Sequence, residues 1–538
     1  MNKTYILLIA LFVILGRYTA QGQENFKSTV TITKEYEGKM DDVQKSKFRT
    51  SYSDTLLKFN LKFDYSAFDR PYKDLYEFSP VEGIRLQKKG DVRYPFIFFR
   101  GAVSYPWMPM ADLYIQPRLG SGNSLVLYGN HDSCWGNKDL VGGPVNRSRT
   151  KGGMGYGYNW SKGELRVDGF YKYDYHLFNK SSSYNHGAQN TQNAGGKVLL
   201  RSLNPDRNSF YYNLNLGYVY TESQHSAKEN KMDASLDLGL RVKGSHRINL
   251  GVDWNQSIYT TRLFNQNYGS EVILTNGIVQ IVPQYMFVRP RINLSAGLSM
   301  GVMYSKIDGD SGFGKLYPKV NFSFEAVKNS LWLKLKVDGE NKFYSAYDML
   351  NMNPWIDVDK VENVYIPVRA ILGLSGVVKD VFGYNIEGGY VYHAQFVSFY
   401  GVHDLQRVYV TEGVNEWKAS ADMMLKTDFL EVVLKGEYRN FGDALIYMVP
   451  EMNFEGKVKY NYKGRIYAEV GAKYYSQMKG KGVSYKGFLD LGANFTYAIN
   501  SKLSIFAQGK NLLNNKIFFI QDYVEPGLNF GLGVVVKL

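Results

Sequence analysis

The chain has 538 residues, with 64 Lys or Arg against 50 Asp or Glu, so its formal net charge is +14. The 53 Gly and 15 Pro fit neither a collagen-like nor a disordered chain. A single cysteine, Cys134, excludes both an intramolecular disulfide framework and a cysteine-cluster metal site. After the first two dozen residues there is no run of 18 apolar residues, which excludes a helical membrane protein.

The N-terminus has the pattern of an export signal. A basic start at Asn2 and Lys3 precedes the apolar stretch 5–15, and small residues follow at Ala20 and Gly22. This order predicts a signal peptide over residues 1–22, cut before Gln23, with Ala20 as a second cut point. Its removal takes away two basic residues and no acid, so the expected mature charge is +14 − 2 = +12.

The chain after residue 94 shows repeated alternation of apolar and polar residues. Clear examples are the segments 165–176, 234–242, 248–255, 489–499 and 528–538. Because side chains of a strand point alternately to opposite faces, each segment has one apolar and one polar face. The sequence therefore predicts an all-β fold.

Three features favour a transmembrane barrel over a soluble sandwich. The segments reach about 10 residues, the length that a tilted membrane-spanning strand needs. Charged residues lie in the middle of the polar faces, as expected for a water-filled lumen. One strand has four of them on the same face: Lys334, Lys336, Asp338 and Glu340. Connections alternate between short links (162–163, 243–245, 289–291, 328–330, 463–465, 500–502) and long ones (178–187, 261–270, 343–362, 478–486, 514–527).

This pattern predicts an antiparallel outer-membrane β-barrel over residues 94–538, with short periplasmic turns and long extracellular loops. We expect about 22 strands, within a range of 18–24. The aromatic pairs Tyr474–Tyr475 and Phe518–Phe519 fit the interfacial girdles of such a barrel. Residues 23–93 form a separate segment. It can be a periplasmic extension, a segment that fills the lumen, or a set of extra strands, and the sequence does not choose among these three. Within it, 57–65 alternates like a strand.

The C-terminus resembles TonB-dependent outer-membrane receptors. The stretch 509–516, which contains Asn511-Leu512-Leu513-Asn514, and the stretch 525–533, which contains Pro526-Gly527, resemble the last two strands of that family. Leu528 stands where Arg is usual, and the roughly 70 residues before the barrel are too few for the family's usual plug. The chain as a whole resembles the plug-less barrels of Bacteroidetes-type outer membranes. Ser28–Thr33 faintly resembles the segment that contacts TonB.

One pair of residues invites a catalytic interpretation. His131 and Ser133 are two positions apart, so on a strand they share a face, and a His can deprotonate a neighbouring Ser. Outer-membrane phospholipases and lipid A deacylases have a similar pair, but here no third, orienting residue can be named. We therefore interpret the pair as a polar strand end and predict no catalytic residues and no enzyme.

The other histidines are scattered, with no spacing typical of a metal site. The sequence predicts neither a metal nor a cofactor, and the residues that bind a solute stay unknown. Expected partners are outer-membrane lipid and other envelope proteins, not nucleic acid.

The leading functional hypothesis is a TonB-receptor-like barrel without a full plug, which acts in transport or as a subunit of an outer-membrane complex. The alternatives are a passive porin with a basic lumen and a structural or assembly accessory barrel of the envelope. A basic lumen would favour anionic solutes. Basic residues at the rims would instead meet lipid phosphate groups, and this is the interpretation we favour.

Overall fold

A computed structural model describes residues 95–135, 146–177, 188–203, 210–224, 227–262, 271–305, 313–328, 330–358, 361, 363–379, 381–402 and 405–538. The predicted signal peptide, the segment 23–93 with its strand-like stretch 57–65, and the TonB-box-like residues 28–33 lie outside the described residues.

The described residues form one 22-stranded sheet, two short hairpins and one short helix. The first strands are β1 (Ile97–Tyr105), β2 (Met110–Ile115), β3 (Asn123–Trp135), β4 (Asn146–Trp160), β5 (Gly163–Leu177), β6 (Ala188–Ser202), β7 (Phe210–Ser223), β8 (Ala227–Lys243) and β9 (His246–Arg262). They continue with β10 (Glu271–Arg289), β11 (Ile292–Ser305), β12 (Phe313–Val327), β13 (Leu331–Lys342), β14 (Val364–Val378), β15 (Phe382–Val402), β16 (Leu405–Lys426), β17 (Leu430–Asn440), β18 (Met452–Tyr462) and β19 (Ile466–Tyr475).

The last barrel strands are β22 (Phe488–Ala498), β23 (Leu503–Lys510) and β26 (Asn529–Lys537). The hairpin β20 (Met478–Gly480) and β21 (Val483–Tyr485) lies between β19 and β22, and the hairpin β24 (Phe518–Ile520) and β25 (Tyr523–Val524) lies between β23 and β26. Helix α1 (Ala346–Met352) lies between β13 and β14. Among the described residues, no helix is long and apolar enough to cross a bilayer.

The sheet closes on itself. Each barrel strand pairs antiparallel with its neighbours along the chain, and β26 pairs with β1 from Phe98 opposite Lys537 to Tyr105 opposite Phe530. Backbone hydrogen bonds between Ile97 and Leu538 complete the seam. Closure leaves no sheet edge, as a lipid-embedded sheet requires. The predicted all-β barrel and its count of 22 strands are confirmed.

The alternation in sequence corresponds to the two faces of the barrel wall. In β26 the apolar residues Phe530, Leu532 and Val534 point outward and are 57%, 72% and 40% exposed. In β13, Leu333 and Leu335 face outward, while Asp338 points inward and binds Arg369 of β14. The outer face is therefore apolar and the inner face polar, which confirms the expected lumen-facing charge pairs.

The two rims differ as expected. One rim carries the last residue of the chain and mostly tight turns. These turns follow the even-numbered strands β4, β8, β10, β12, β16 and β18. Between β18 and β19, Lys463 and Gly464 have φ of 50° and 69°, the left-handed pair that a two-residue hairpin turn needs. The long connections, including those at 343–362, 478–486 and 514–527, share the opposite rim, which we call the mouth.

Strand β10 departs from the alternation. Strand β10 carries Leu274, Ile278 and Val282 on its inner face, and all three are buried. Apolar side chains on a lumen wall need a cover to be removed from water. At Leu274 that cover is part of the connection between β13 and β14, which folds inward.

Prediction for the wall: Ala493 and Asn494 are adjacent in β22 but face lipid and lumen, respectively, and Asn494 lies opposite Glu469. Ala493→Arg places a charge against hydrocarbon, which costs about 2–4 kcal/mol near the bilayer midplane. Asn494→Arg places the same side chain beside a carboxylate, so we expect little loss. Denaturant unfolding in lipid vesicles, followed by tryptophan fluorescence, measures both free energies of unfolding. Equal losses would contradict the assignment of faces.

Candidate functional site at the barrel mouth

The connection between β13 and β14 forms the centre of the mouth. We call residues 343–363 the mouth segment, of which 343–358, 361 and 363 are described. It begins with helix α1, whose N-cap Ser345 accepts the Asp348 N–H at 3.1 Å, while the Asp348 carboxylate accepts the Ser345 N–H at 3.2 Å. A helix of seven residues is not stable alone, so its conformation depends on what it packs against.

A buried carboxylate of the wall anchors the start of α1. Glu229 of β8 accepts the backbone N–H groups of Ala346 at 2.8 Å and Tyr347 at 2.7 Å. Glu229 is fully buried and also accepts the hydroxyl of Ser257 on β9. Its negative charge satisfies donors that a helix N-terminus otherwise leaves free, and it lies at the favourable end of the helix dipole.

Two further contacts hold α1 against the wall. Lys231, also on β8, binds both carboxylate oxygens of Asp348 at 2.9 Å, and Lys172 of β5 donates to Asn351 at 2.7 Å. Burial, with the Asp348 charge nearby, raises the pKa of the Tyr347 hydroxyl, so it stays neutral. The helix is therefore fixed by charged and polar contacts to two separate strands.

The two ends of the mouth segment meet on β10. Asn276 donates its side-chain amide to the Tyr344 carbonyl and to Asn363 Oδ1, each at 3.0 Å. Asn363 donates in turn to the Gly277 carbonyl at 3.2 Å. On β9, the Tyr259 hydroxyl accepts the Val361 N–H at 3.1 Å. Every partner in this group is buried or carried by the backbone, which makes the attachment specific.

An apolar cluster fills the space between the mouth segment and the wall. It contains Met349, Ile356, Val358 and Val361 of the segment together with Leu274 of β10, all of them buried. Burying such side chains contributes about 1.5–3 kcal/mol each relative to exposure.

Consecutive residues of the mouth segment contact opposite walls. The Trp355 indole N–H donates to the Leu177 carbonyl, at the end of β5, at 3.3 Å. Its neighbour Ile356 forms a parallel β-bridge with Gln406 of β16, flanked by the Gln406 N–H to Trp355 carbonyl bond at 3.1 Å. Strands β5 and β16 are eleven positions apart in a ring of 22, so they lie across the barrel from each other. The segment therefore crosses the mouth.

The loop that carries β24 and β25 packs on this crossing. Tyr523 stacks on Trp355 with ring centroids 4.1 Å apart, and Gln406 donates to the Gln521 carbonyl at 2.9 Å. Glu525 of the same loop forms an ion pair with Arg147 of β4 at 3.0 Å. This loop therefore connects the mouth segment to a further part of the wall.

The hairpin β20–β21 is the third part of the chain that packs inside the mouth, after the mouth segment and the loop of β24 and β25. Met478 packs with Met448, Phe488, Ile517 and Phe519 in a buried cluster. The interpretation as girdle residues is therefore wrong for Phe519 and Tyr475, which contact each other and Phe488 inside the mouth. Tyr474 does face outward, 39% exposed.

The lumen wall below the mouth carries cross-strand charge pairs. One row across five neighbouring strands alternates between negative and positive charges, each directly opposite the next. Its members are Asp422, Lys435, Glu455, Lys473 and Asp490. Opposite charges in such positions stabilise a sheet by up to about 1 kcal/mol per pair. These cations have wall carboxylates as neighbours.

Two further charge clusters lie on the wall, and Glu416, Arg439, His393 and Asp338 within them are buried. Glu416 binds Arg439 at 2.6 Å and His393 at 2.7 Å. Arg369 binds Asp338 at 2.7 Å and Glu340 at 3.4 Å. In these two clusters, too, the basic side chains are compensated by acids of the wall.

The three residues that the sequence analysis considered for chemistry, His131, Ser133 and Cys134, all lie on β3. His131 and Ser133 are on the outer face of β3, with His131 Nε2 3.2 Å from Ser133 Oγ. Cys134 is buried, and no group of three or more potential metal ligands occurs among the described residues. The sequence did not reveal that the mouth segment folds into the barrel. The signal that could have shown this is the row of apolar residues on the inner face of β10, which needs a cover.

The architecture matches solved receptor structures. A mutant of the ferric enterobactin receptor PfeA from Pseudomonas aeruginosa is 12% identical, with a TM-score of 0.63, over 83% of this chain and 81% of that one. The FrpB iron transporter from Neisseria meningitidis is 11% identical, with a TM-score of 0.66, over 84% and 82%. The siderophore receptor PirA from Acinetobacter baumannii is 11% identical, with a TM-score of 0.63, over 84% and 81%.

No protein-family model and no curated protein matches the chain. At such low identity, the likeness to solved structures establishes the fold. The chain therefore shares its β-barrel fold with these outer-membrane receptor structures, in agreement with the C-terminal resemblance to TonB-dependent receptors.

Prediction for the mouth segment: Glu229→Gln keeps the shape of the anchor but removes its charge. Charge-assisted hydrogen bonds are roughly twice as strong as neutral ones, so we expect a loss of about 1.5 kcal/mol of local stability. Amide hydrogen exchange of residues 346–352 should then accelerate about tenfold. Glu222→Gln is the control, because Glu222 is an exposed partner of exposed Lys228. Equal exchange in both variants would contradict the anchoring role.

Proposed function

We propose that the barrel transports a solute across the outer membrane and that the mouth segment is its gate. The observation that carries this proposal is the crossing of the mouth, where Trp355 and Ile356 contact opposite walls. In this proposal, a solute that enters the lumen from outside displaces this segment. The likeness to barrels named as receptors and transporters supports the same role.

The passive porin with a basic lumen receives less support. A porin of this kind needs an open mouth and cations free to attract anionic solutes. Here the mouth is crossed by the chain itself, and wall cations such as Arg369 and Arg439 bind carboxylates. A structural accessory barrel accounts for the crossing of the mouth as well as a gated transporter does, so an experiment has to separate the two.

Prediction for the gate: the variant Ile356→Cys with Gln406→Cys should form a disulfide across the β-bridge and lock the mouth segment. The two residues are bridge partners, so their Cα atoms are within disulfide reach. Mass spectrometry of spent medium should then reveal a solute that wild-type cells deplete and locked cells leave. Each single cysteine variant is a control, since it loses the same side chain without the lock.

Identical depletion by wild-type cells and by cells whose disulfide is verified would contradict gated transport. That result would support the accessory role. The next experiment would then be to isolate the barrel from native membranes and to identify the envelope proteins that co-purify with it.

Prediction for energy coupling: transport driven through TonB requires a contact segment, for which Ser28–Thr33 is our candidate. Deleting residues 28–33 should abolish depletion of the solute that the lock identifies, while the amount of folded barrel in the outer membrane stays the same. Unchanged depletion would contradict coupling through this segment and favour passive passage through the gate.

A further inference from the structure

The outer face of the barrel holds a serine, a histidine and a threonine in contact. On β3, His131 Nε2 lies 3.2 Å from Ser133 Oγ. On β4, Thr150 stands directly opposite His131, and its Oγ1 lies 2.9 Å from His131 Nδ1. Both ring nitrogens of one imidazole are therefore engaged, each by a different hydroxyl. Thr150 is the third residue that the sequence alone does not supply.

The contacts are those of a nucleophile, a base and an orienting group. If Nδ1–H donates to Thr150 Oγ1, Nε2 has a free lone pair and accepts the Ser133 O–H. The hydrogen bond to Thr150 also fixes the ring plane. A hydroxyl in contact with a base that is itself held by a third group is the arrangement that activates serine for attack on a carbonyl carbon.

The position of the three residues selects the substrate. They share the outer face with Leu127 and Trp135, which are 39% and 42% exposed, and they lie near the mouth end of β3. Trp135 contacts the ring of Tyr175, and exposed Trp107 borders the same strand end. Exposed Trp and Tyr side chains collect at the level of lipid headgroups. The ester bonds of membrane lipids lie at that level.

We propose that His131, Ser133 and Thr150 hydrolyse carboxylic esters of acyl lipids in the outer leaflet. Ser133 Oγ bonds to the ester carbonyl carbon while its proton passes to His131 Nε2. The bond from that carbon to the alcohol oxygen then breaks, and His131 returns the proton to the leaving alcohol. Water attacks the acyl-serine, His131 takes its proton, and a fatty acid leaves as Ser133 recovers the proton.

The activity is independent of transport, because the three side chains face away from the lumen. Ser133 is only 4% exposed, so the ester reaches it after neighbouring surface side chains move. We therefore expect slow turnover. A merely structural role, in which the three residues pair across strands at the polar end of the wall, predicts no reaction at all.

The first test is covalent labelling of the full-length barrel in detergent with a fluorophosphonate probe. Ser133→Ala should abolish labelling, and His131→Ala should slow it by about 100-fold or more. Ser148→Ala is the matched control: Ser148 lies directly opposite Ser133 on the same face and should leave labelling unchanged. All variants are first checked for a folded barrel. Absence of labelling, or labelling that persists in Ser133→Ala, would overturn the proposal.

The second test identifies the ester. The barrel is reconstituted in vesicles of phosphatidylethanolamine alone or with lipopolysaccharide, and released fatty acid is measured by mass spectrometry. Release in the first vesicles assigns a phospholipid ester, and release only in the second assigns a lipid A ester. Thr150→Val should slow release about tenfold, because it removes one oriented hydrogen bond, and Thr150→Ser should restore it. Absence of Ser133-dependent release from both vesicles would overturn the proposal.

Discussion

Backbone hydrogen bonding within lipid is the constraint on which this structure depends. A strand in a bilayer has no water to satisfy its N–H and C=O groups, so both of its edges must be paired. The chain meets this demand by pairing each barrel strand with the next and by joining β26 to β1. Once closed, the wall has an outside that must be apolar and an inside free to be polar. The alternation of the sequence follows from that division.

The mouth segment obeys the same rule inside the barrel. A connection folded into a lumen removes its own polar groups from water, and unpaired groups there are costly. Glu229 meets this cost at the start of α1, Asn276 at both ends of the segment, and Gln406 at the crossing. Polar contacts define where the segment sits, while the cluster around Ile356 removes apolar side chains from water.

The parts of the fold that could be predicted are those governed by local sequence. Period-two alternation gave the wall, its faces and its strand count. The Asn511–Asn514 turn could be recognised because its geometry is local: both asparagines have left-handed φ, and Asn511 donates to the Asn515 carbonyl at 2.8 Å. Lys463 and Gly464 mark a tight turn for the same reason.

The contacts that form the candidate site are remote in sequence. Glu229 and Ala346 are 117 residues apart, and Trp355 and Leu177 are 178 apart. Neither pairing leaves a spacing that can be read along the chain. Thr150 was missed for the same reason, because the register between β3 and β4 alone brings it opposite His131. Phe519 was misassigned because an aromatic residue near a strand end fits a girdle and a folded-in loop equally well.

The most direct measurement is the single-channel conductance of the reconstituted barrel in planar bilayers. The wild type is compared with a variant in which residues 346–358 are replaced by a short Gly-Ser linker. If the mouth segment is the barrier, the wild type stays closed to potassium chloride and the variant conducts. Equal conductance of the two proteins, whether zero or large, would contradict a gate formed by this segment.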